Sequence, residues 1–335
     1  MTLQEQVALK PLTTFGIEAT ARYYASFADA GALPALLEAG AGLPLLVLGG
    51  GSNVLLTRDF DGLVLRNEIG GIEVVREDQD FFYVKAGGGV NWHALVQHCV
   101  EHNFAGMENL SLIPGSVGAS PMQNIGAYGV EIKDIFHQLE AFHIGDRVMH
   151  TFGREDCAFG YRESIFKNKY KGQFIITSVT YRLRRQPEFH TSYGAIRQEL
   201  EQMGVQELSI RAIAQAVINI RTSKLPDWRE VGNAGSFFKN PQVPMPQYAA
   251  LKEEFPEIVA YPQEAGMKLA AGWLIEQCGW KGFRRGDAGC YPKQALVLVN
   301  YGNASGAEVY ALSEEIIASV QQRFGVQLER EVNVI

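Results

Sequence analysis

Residues Ile113–Gly129 (IPGSVGASPMQNIGAYG) place four glycines, two prolines and the amide pair Gln123 and Asn124 within 17 residues. So many breakers exclude a helix or an ordinary strand, and the segment is too apolar for a solvated linker. An ordered loop fits, one that brings bare backbone against another group. Its glycines permit close approach and positive φ, and its N–H groups suit an anion such as a pyrophosphate. A tightly packed turn with no ligand is the plainer alternative.

A second glycine loop strengthens the phosphate reading. Leu43–Leu48 (LPLLVL) reads as a short buried strand that runs into Gly49, Gly50, Gly51, Ser52 and Asn53. Strand, glycine turn, then hydroxyl and amide can present donors to phosphate oxygens. It is not the G-x-G-x-x-G fingerprint, because Val54 stands where the third glycine belongs. Gly87, Gly88 and Gly89 fail the same test at Trp92, and no G-x-x-x-x-G-K-[ST] occurs. Two such loops suggest a dinucleotide held outside a Rossmann fold.

Three other segments carry polar chemistry. Tyr161 and Arg162 set a phenol beside a planar cation suited to a carboxylate, although a surface salt bridge would use Arg162 equally well. Arg221, Lys224 and Lys239 bring positive charge to a glycine-broken region that also holds Ser236 and Asn240. That mixture suits a phosphate-bearing substrate and one hydroxyl proton donor; a solvated loop with ordinary lysines is the alternative. Ser236 lacks the G-x-S-x-G frame of a hydrolase nucleophile. Glu329 and Glu331, close to the C-terminus, are by themselves ordinary solvated carboxylates. His93, His98 and His102 fall on one expected helix and read as surface or packing residues; the acidic or cysteine partners a metal site needs cannot be placed from the sequence, so no metal is assigned.

The elements that must position these groups mix strands and helices without regular alternation, which favours α+β over doubly wound α/β. Gly62–Arg66, Phe81–Ala86, Phe174–Leu183 and Gln294–Asn300 read as strands. Asn91 reads as a helix N-cap, with Trp92, Leu95, Val96, Cys99 and Val100 on one face behind it. Ile210, Ile213, Val217 and Ile220 predict a helix ending near Arg221. Met267–Cys278 and Glu308–Phe324 also read as helices, and 224–246 as loop. With 335 residues the chain is long enough for two or three domains.

A formal net charge of −7 argues against a broad nucleic-acid or anionic-membrane surface. No basic n-region and apolar h-region opens the chain, and no apolar run approaches a membrane span, so a cytoplasmic protein is expected. Cys99, Cys157, Cys278 and Cys290 are far apart in sequence and read as reduced thiols.

Taken in order, these pieces resemble the UDP-N-acetylenolpyruvoylglucosamine reductases, the MurB family of cell-wall precursor synthesis. The resemblance runs through Leu12–Ile17 (LTTFGI), Leu48–Leu55 (LGGGSNVL), Ile113–Gly129, Phe159–Arg162 (FGYR) and Arg221–Pro226 (RTSKLP). It ends with Ala234–Pro241 (AGSFFKNP), Gln294–Leu298 (QALVL) and Leu328–Val332 (LEREV). It implies a three-domain α+β flavoprotein with a PCMH-type, vanillyl-alcohol-oxidase-like FAD-binding fold and a MurB-type substrate domain. The implied division is 1–67 with 325–335, then 68–221 with a lid insert at about 167–200, then 222–324. It implies FAD held without a covalent link, and Gly49–Asn53 contains no histidine or cysteine that could tether it.

The implied reaction passes hydride from NADPH to FAD, then to the enolpyruvyl ether of UDP-N-acetylglucosamine, giving UDP-N-acetylmuramate. NADPH and the sugar nucleotide would use one pocket in turn. By the resemblance, Ser236 gives a proton to the carbon beside the carboxylate, while Arg162 and Glu331 stabilise the enol form. Glu331 ranks above Glu329, because a valine, Val332, follows it. FAD contacts are expected from Gly49, Gly50, Gly51, Ser52 and Asn53, from Pro114, Gly115, Ser116, Gly118, Ala119, Gln123, Asn124 and Gly126, and from Arg221. Substrate contacts are expected from Tyr161, Tyr193, Lys224, Asn240, Lys281 and Gln294, with Tyr193 as the lid residue of the subclass that closes a tyrosine over the diphosphate. A monomer is expected. Trp228 stands where the family pattern has proline, and only four residues follow Glu331. Two rivals stay open: another flavoenzyme of the same fold acting on an alcohol or hydroxy acid, and a nucleotide-binding module without catalysis.

Overall fold

The computed structural model describes residues 3–335. The chain forms two compact units. One comprises the residues up to Val7, Ala21–Gly50 and Asp61–Ser223; the other comprises Ala8–Thr20, Gly51–Phe60 and Lys224–Ile335.

The first unit is built on a five-stranded antiparallel sheet in the order Met149–Gly153, Phe136–His143, Phe174–Arg184, Phe81–Gly87, Ile72–Glu77. Its central strand, Phe174–Arg184, is buried continuously from Ile175 to Tyr181, as a strand covered on both faces must be. Ile175 joins a core with Phe27, Leu33, Leu36 and Leu63, while Ile176, Val179 and Tyr181 join another with Trp92, Leu95 and Val96. The helix Trp92–Glu101 starts as expected, with Asn91 Oδ1 accepting the Ala94 N–H at 3.0 Å. Its whole apolar face is buried. Trp92 adds a donor to that burial, its Nε1–H reaching the Leu110 carbonyl at 2.9 Å. A four-stranded sheet runs Gln4–Ala8, Thr20–Phe27, Phe60–Asn67, Leu45–Leu48, its last pair parallel. Helices Gly194–Gln202 and Ile210–Lys224 pack through Ile196 and Leu200 against Ile213, Val217 and Ile220.

The second unit holds a four-stranded sheet in the order Gly232–Ser236, Val297–Asn300, Ala288–Cys290, Arg284–Arg285. A three-stranded sheet runs Gln242–Val243, Gly266–Leu269, Ala260–Gln263. Its core draws Phe15, Ile17 and Leu55 from the first sixth of the chain onto Phe237, Phe238, Leu298, Leu312 and Ile316. Ser305 and Glu308 form a capping box on the helix Gly306–Phe324, and Gly325 closes it in the left-handed region. Leu312, Ile316 and Val320 lie buried on one face of it, as their spacing predicts.

Three expectations need correction. Residues 224–246 are not all loop, because Gly232–Ser236 and Gln242–Val243 are strands. The residues of Gly232–Ser236 have little strand preference; their pairing with Val297–Asn300 imposes it. The single helix expected over Met267–Cys278 is a strand, Gly266–Leu269, followed by a helix, Ala271–Gln277. Pairing with Gln242–Val243 and Ala260–Gln263 holds Gly266–Leu269 extended; at its start Gly266 has φ +136°, and a Cβ there would lie 2.2 Å from the Val243 carbonyl oxygen. The strand expected over Gln294–Asn300 covers only Val297–Asn300.

Candidate active site: a strained glycine loop and a C-terminal strand clamp

In the first unit, Ile113–Gly129 is an ordered loop anchored by its backbone. Trp92 N–H donates to the Gly115 carbonyl at 3.0 Å, Val117 N–H to Val90 O at 2.9 Å, and Gly118 N–H to Gly88 O at 2.8 Å. Gly88 therefore has a structural part that the failed fingerprint concealed. Its own N–H donates to Thr177 O at 2.7 Å, and an added Cβ would lie 2.5 Å from Ile176 O. Four non-glycine residues in or beside this loop adopt positive φ: Leu112 (59°), Asn124 (45°), Tyr128 (50°) and Arg162 (57°). Such conformations cost about 1 kcal/mol or more each and persist only where the surroundings over-determine them, a pattern found at functional sites.

The surroundings here are specific. Asn124 is fully buried; its Nδ2 donates to Gly160 O at 2.9 Å and Glu131 Oε2 at 3.1 Å, and its Oδ1 accepts from Lys133 N–H at 3.0 Å. Asn124 thus holds the loop through its side chain. Arg162 Nη2 donates to Gly126 O at 2.7 Å, with Glu131 Oε1 at 3.9 Å from Nη1 and the Tyr161 ring centre 5.1 Å from Cζ. Arg162, Tyr161, Asn124 and Gly126 are thereby gathered at one place, although 36 residues separate Gly126 from Arg162. Arg221 Nε donates to the carbonyl of strained Leu112 at 3.3 Å. Burial holds the Arg221 guanidinium below its ordinary pKa, opposed by nearby Tyr128, whose own phenol burial pushes up. Arg221→Lys keeps the charge but loses this directed contact. If Arg221 holds the flavin that the family resemblance implies, this change should weaken its retention about tenfold; unchanged flavin affinity by titration would remove Arg221 from that role.

The first glycine loop leaves the strand Leu45–Leu48 through Gly49 and Gly50, both in the first unit. A Cβ on Gly49 would lie 2.2 Å from Ser116 Oγ, and one on Gly50 would lie 2.8 Å from Gly115 Cα. The two glycine loops therefore meet backbone to backbone, with only hydrogen between them. Ser116 is buried, and its Oγ has no hydrogen-bond partner among the described residues. A buried hydroxyl without a partner costs about 1–3 kcal/mol, so a phosphate oxygen or other ligand acceptor suits this cradle. Pro114, Gln123 and Gly126 are partly buried, and Ala119 is exposed.

In the second unit, the C-terminal segment is zipped beside Ser236. Ser236 is the exposed last residue of its strand. Directly after it, Phe237 O accepts the Glu331 N–H at 2.8 Å, Phe238 bridges Arg330, and Lys239 N–H donates to Glu329 O at 2.9 Å. Asn53 Nδ2 donates to Glu331 O at 3.2 Å, and its carbonyl accepts the Asn333 N–H at 3.1 Å. Ser236, Glu331 and Asn53 are thus brought together, although 278 residues separate Asn53 from Glu331. Glu329 instead pairs with Lys239 at 3.1 Å, on a largely exposed side chain. Gly51 has φ +61°, and Ser52 follows it, partly buried.

Asn240 Oδ1 accepts the Ala271 N–H at 2.9 Å at the start of a helix, and Gln294 Oε1 accepts Leu296 N–H at 3.3 Å. Lys281 pairs with Glu276 at 2.9 Å, and Lys224 is exposed at the end of its helix. Tyr193, in the first unit, stands edge-on to the Tyr128 ring at 5.3 Å. Sequence reasoning missed Tyr128 and Asn109 as partners of this region. Tyr128 lay within the quoted loop, whereas Asn109 belongs to no motif.

Residues 23–150 match an FAD binding domain, and residues 227–335 match the C-terminal domain of UDP-N-acetylenolpyruvoylglucosamine reductase. The reductase of Amoebophilus asiaticus is 51% identical over 338 residues, covering 100% of both chains. That of Pseudomonas putida is also 51% identical, covering 99% of this chain and 98% of its own. The crystal structure of the Thermus caldophilus enzyme superposes with a TM-score of 0.69 at 26% identity, covering 99% of each chain. The fold is the α+β flavoprotein arrangement of an FAD-binding domain followed by the reductase C-terminal domain. With half its residues shared over its full length, the chain belongs to the UDP-N-acetylenolpyruvoylglucosamine reductase family.

Proposed function

We propose that this chain is an FAD-dependent oxidoreductase that uses NADPH to reduce UDP-N-acetyl-3-O-(1-carboxyvinyl)-glucosamine to UDP-N-acetylmuramate in peptidoglycan precursor synthesis. The observation that carries the reading is the family relation over the whole chain. FAD, when bound, supplies the two-electron chemistry between NADPH and the vinyl carbon. Gly49–Asn53, the Pro114–Gly126 loop and Arg221 would hold it, and the orphaned Ser116 hydroxyl facing Gly49 fits that assignment.

The chain's own residues handle charge and proton. Ser236 donates its proton to the carbon beside the substrate carboxylate, a role its exposed position at a strand end allows. Arg162 supplies a cation already fixed by Gly126 O, and preorganised charge facing a developing enolate is a large catalytic term. Glu331 assists from a backbone pinned to Phe237 and Asn53. Tyr161, Tyr193, Lys224, Asn240, Lys281 and Gln294 contact the sugar nucleotide, with Tyr193 as the lid. The division at 67, 221 and 324, the monomeric state and the cytoplasmic location belong to the same proposal. Among the described residues no helix is long and apolar enough to cross a membrane.

The test is spectroscopic. Protein loaded with FAD is reduced anaerobically with one equivalent of NADPH, then given the enolpyruvyl sugar nucleotide. Return of the oxidised flavin band supports the reading. Bleaching without return favours another flavoenzyme of the same fold and overturns the substrate. Failure to retain any flavin overturns the whole proposal.

A further inference from the structure

One side chain ties the strained glycine loop to the segment that carries Tyr193. Asn109 is 1% exposed and lies in the short 3-10 turn Glu108–Leu110. Its Nδ2 spends one hydrogen on the Tyr128 carbonyl at 3.0 Å and the other on the His190 carbonyl at 2.8 Å. An asparagine amide has only these two hydrogens, so its whole donor capacity joins two backbone points 62 residues apart.

Both points bear on Tyr193. Tyr128, whose φ is +50°, presents its ring edge-on to Tyr193. His190 precedes Tyr193 by three residues. On the other side, the Tyr193 carbonyl accepts the Ile196 N–H at 2.9 Å and opens the helix Gly194–Gln202. Ile196 and Leu200 fix that helix in a buried cluster. Tyr193 is 46% exposed, yet it rides on a short arc pinned at His190 and at Ile196. Without the amide, the first pin is gone and two carbonyls lose their donor.

We infer that Asn109 is a positioning residue that holds the Tyr193 segment in its binding-competent arrangement. This rests on the reading of Tyr193 as the residue that closes over the sugar nucleotide. If the competent arrangement becomes a minor state, apparent affinity falls by the competent fraction while the chemistry of the bound complex is untouched. The signature is a rise in KM for the sugar nucleotide, with little change in kcat or in flavin reduction by NADPH.

The test is a double-mutant cycle of Asn109→Ala and Tyr193→Ala in the FAD-loaded enzyme. Asn109→Ala should raise KM for the sugar nucleotide about tenfold, the usual scale for losing a buried donor. In the Tyr193→Ala background the same change should add less than about twofold, because residues acting through one another are not additive. A tenfold effect that persists in that background, or equal slowing of the NADPH half, assigns Asn109 to general loop stability and overturns the inference. Asn109→Asp, which keeps the shape but cannot donate when ionised, serves if the alanine variant does not fold and should show the same pattern.

A second readout needs no substrate. Phe189 and Tyr193 are both exposed chymotrypsin sites. Their cleavage in the flavin-loaded, substrate-free protein should quicken about tenfold in either Asn109 variant; unchanged cleavage overturns the inference. If the parent enzyme is inactive on the sugar nucleotide and the Asn109 variants still show the quickened cleavage, the assigned substrate falls and the Asn109 contact stands.

Discussion

Ser236→Ala should slow reoxidation of the reduced enzyme by the enolpyruvyl sugar nucleotide by about 10²- to 10⁴-fold, the range for removing a positioned proton donor. Reduction by NADPH should change far less. The two half-reactions make different demands: only the second creates a carbon centre that needs a proton. A serine hydroxyl is a poor acid in water, so its donation depends on being held in contact with a strongly basic centre. The backbone on either side of Ser236 is fixed. Gly235, at φ +70°, turns the backbone immediately before Ser236, and Phe237 immediately after it is fixed by its N–H to Leu296 O at 2.7 Å. Stopped-flow traces of the two halves, recorded separately, decide the matter. Equal slowing of both would remove Ser236 as the specific donor.

Gly51→Ala should destabilise the protein by about 3 kcal/mol, combining a left-handed alanine with a backbone clash. That corresponds to a fall in Tm of roughly 6–12 °C for a unit of this size. The new Cβ would sit 2.0 Å from the Leu12 carbonyl oxygen and 2.9 Å from Thr13 Cα. Both are backbone atoms, and the same stretch accepts no easy shift, since Thr14 N–H donates to Gly51 O at 3.0 Å. Gly235→Ala is the control. It has a similar φ, but nothing lies within 4 Å of its Cβ position, so only the conformational cost of about 1–2 kcal/mol applies. Melting of the flavin-free variants separates this from any loss of FAD. Equal losses in the two variants would mean that the Leu12 contact relaxes.

Much of this was legible in the residues, for identifiable reasons. The helix behind Asn91 shows a five-residue apolar face and a side-chain cap, both local signals. The strand Phe174–Arg184 shows because it is buried on both faces and so reads as one apolar run. Gly232–Ser236 was hidden because its strand character lives in its partner, Val297–Asn300. The Gly266–Leu269 strand was hidden because its residues run into a helix without a polar break. At the site, Arg162, Ser236 and Glu331 stood in motifs. The contact of Arg162 with Gly126 and that of Glu331 with Phe237 could not be read from spacing, since each joins residues far apart in the chain. Asn109 sits between Glu108 and Leu110 with no signature, because two main-chain carbonyls are its only hydrogen-bond acceptors and any sequence can supply those.

Residues 8–20 and 51–60 share a core with 224–335, and the last strand, Asn333–Val334, lies parallel to Val54–Leu55. During synthesis from the N-terminus, Phe15, Ile17 and Leu55 leave the ribosome long before Phe237 or Leu312 exists to cover them. The C-terminal body therefore cannot close until Asn333–Val334 has been made, and its early apolar segments must wait exposed or transiently sheltered. Contacts so distant in sequence also make for slow closure and a longer window for aggregation. A fragment cut at residue 227, where the C-terminal family match begins, would lack these three side chains and the partner of its final strand. Expression designs that respect the contacts must keep residues 8–20 and 51–60 together with 224–335.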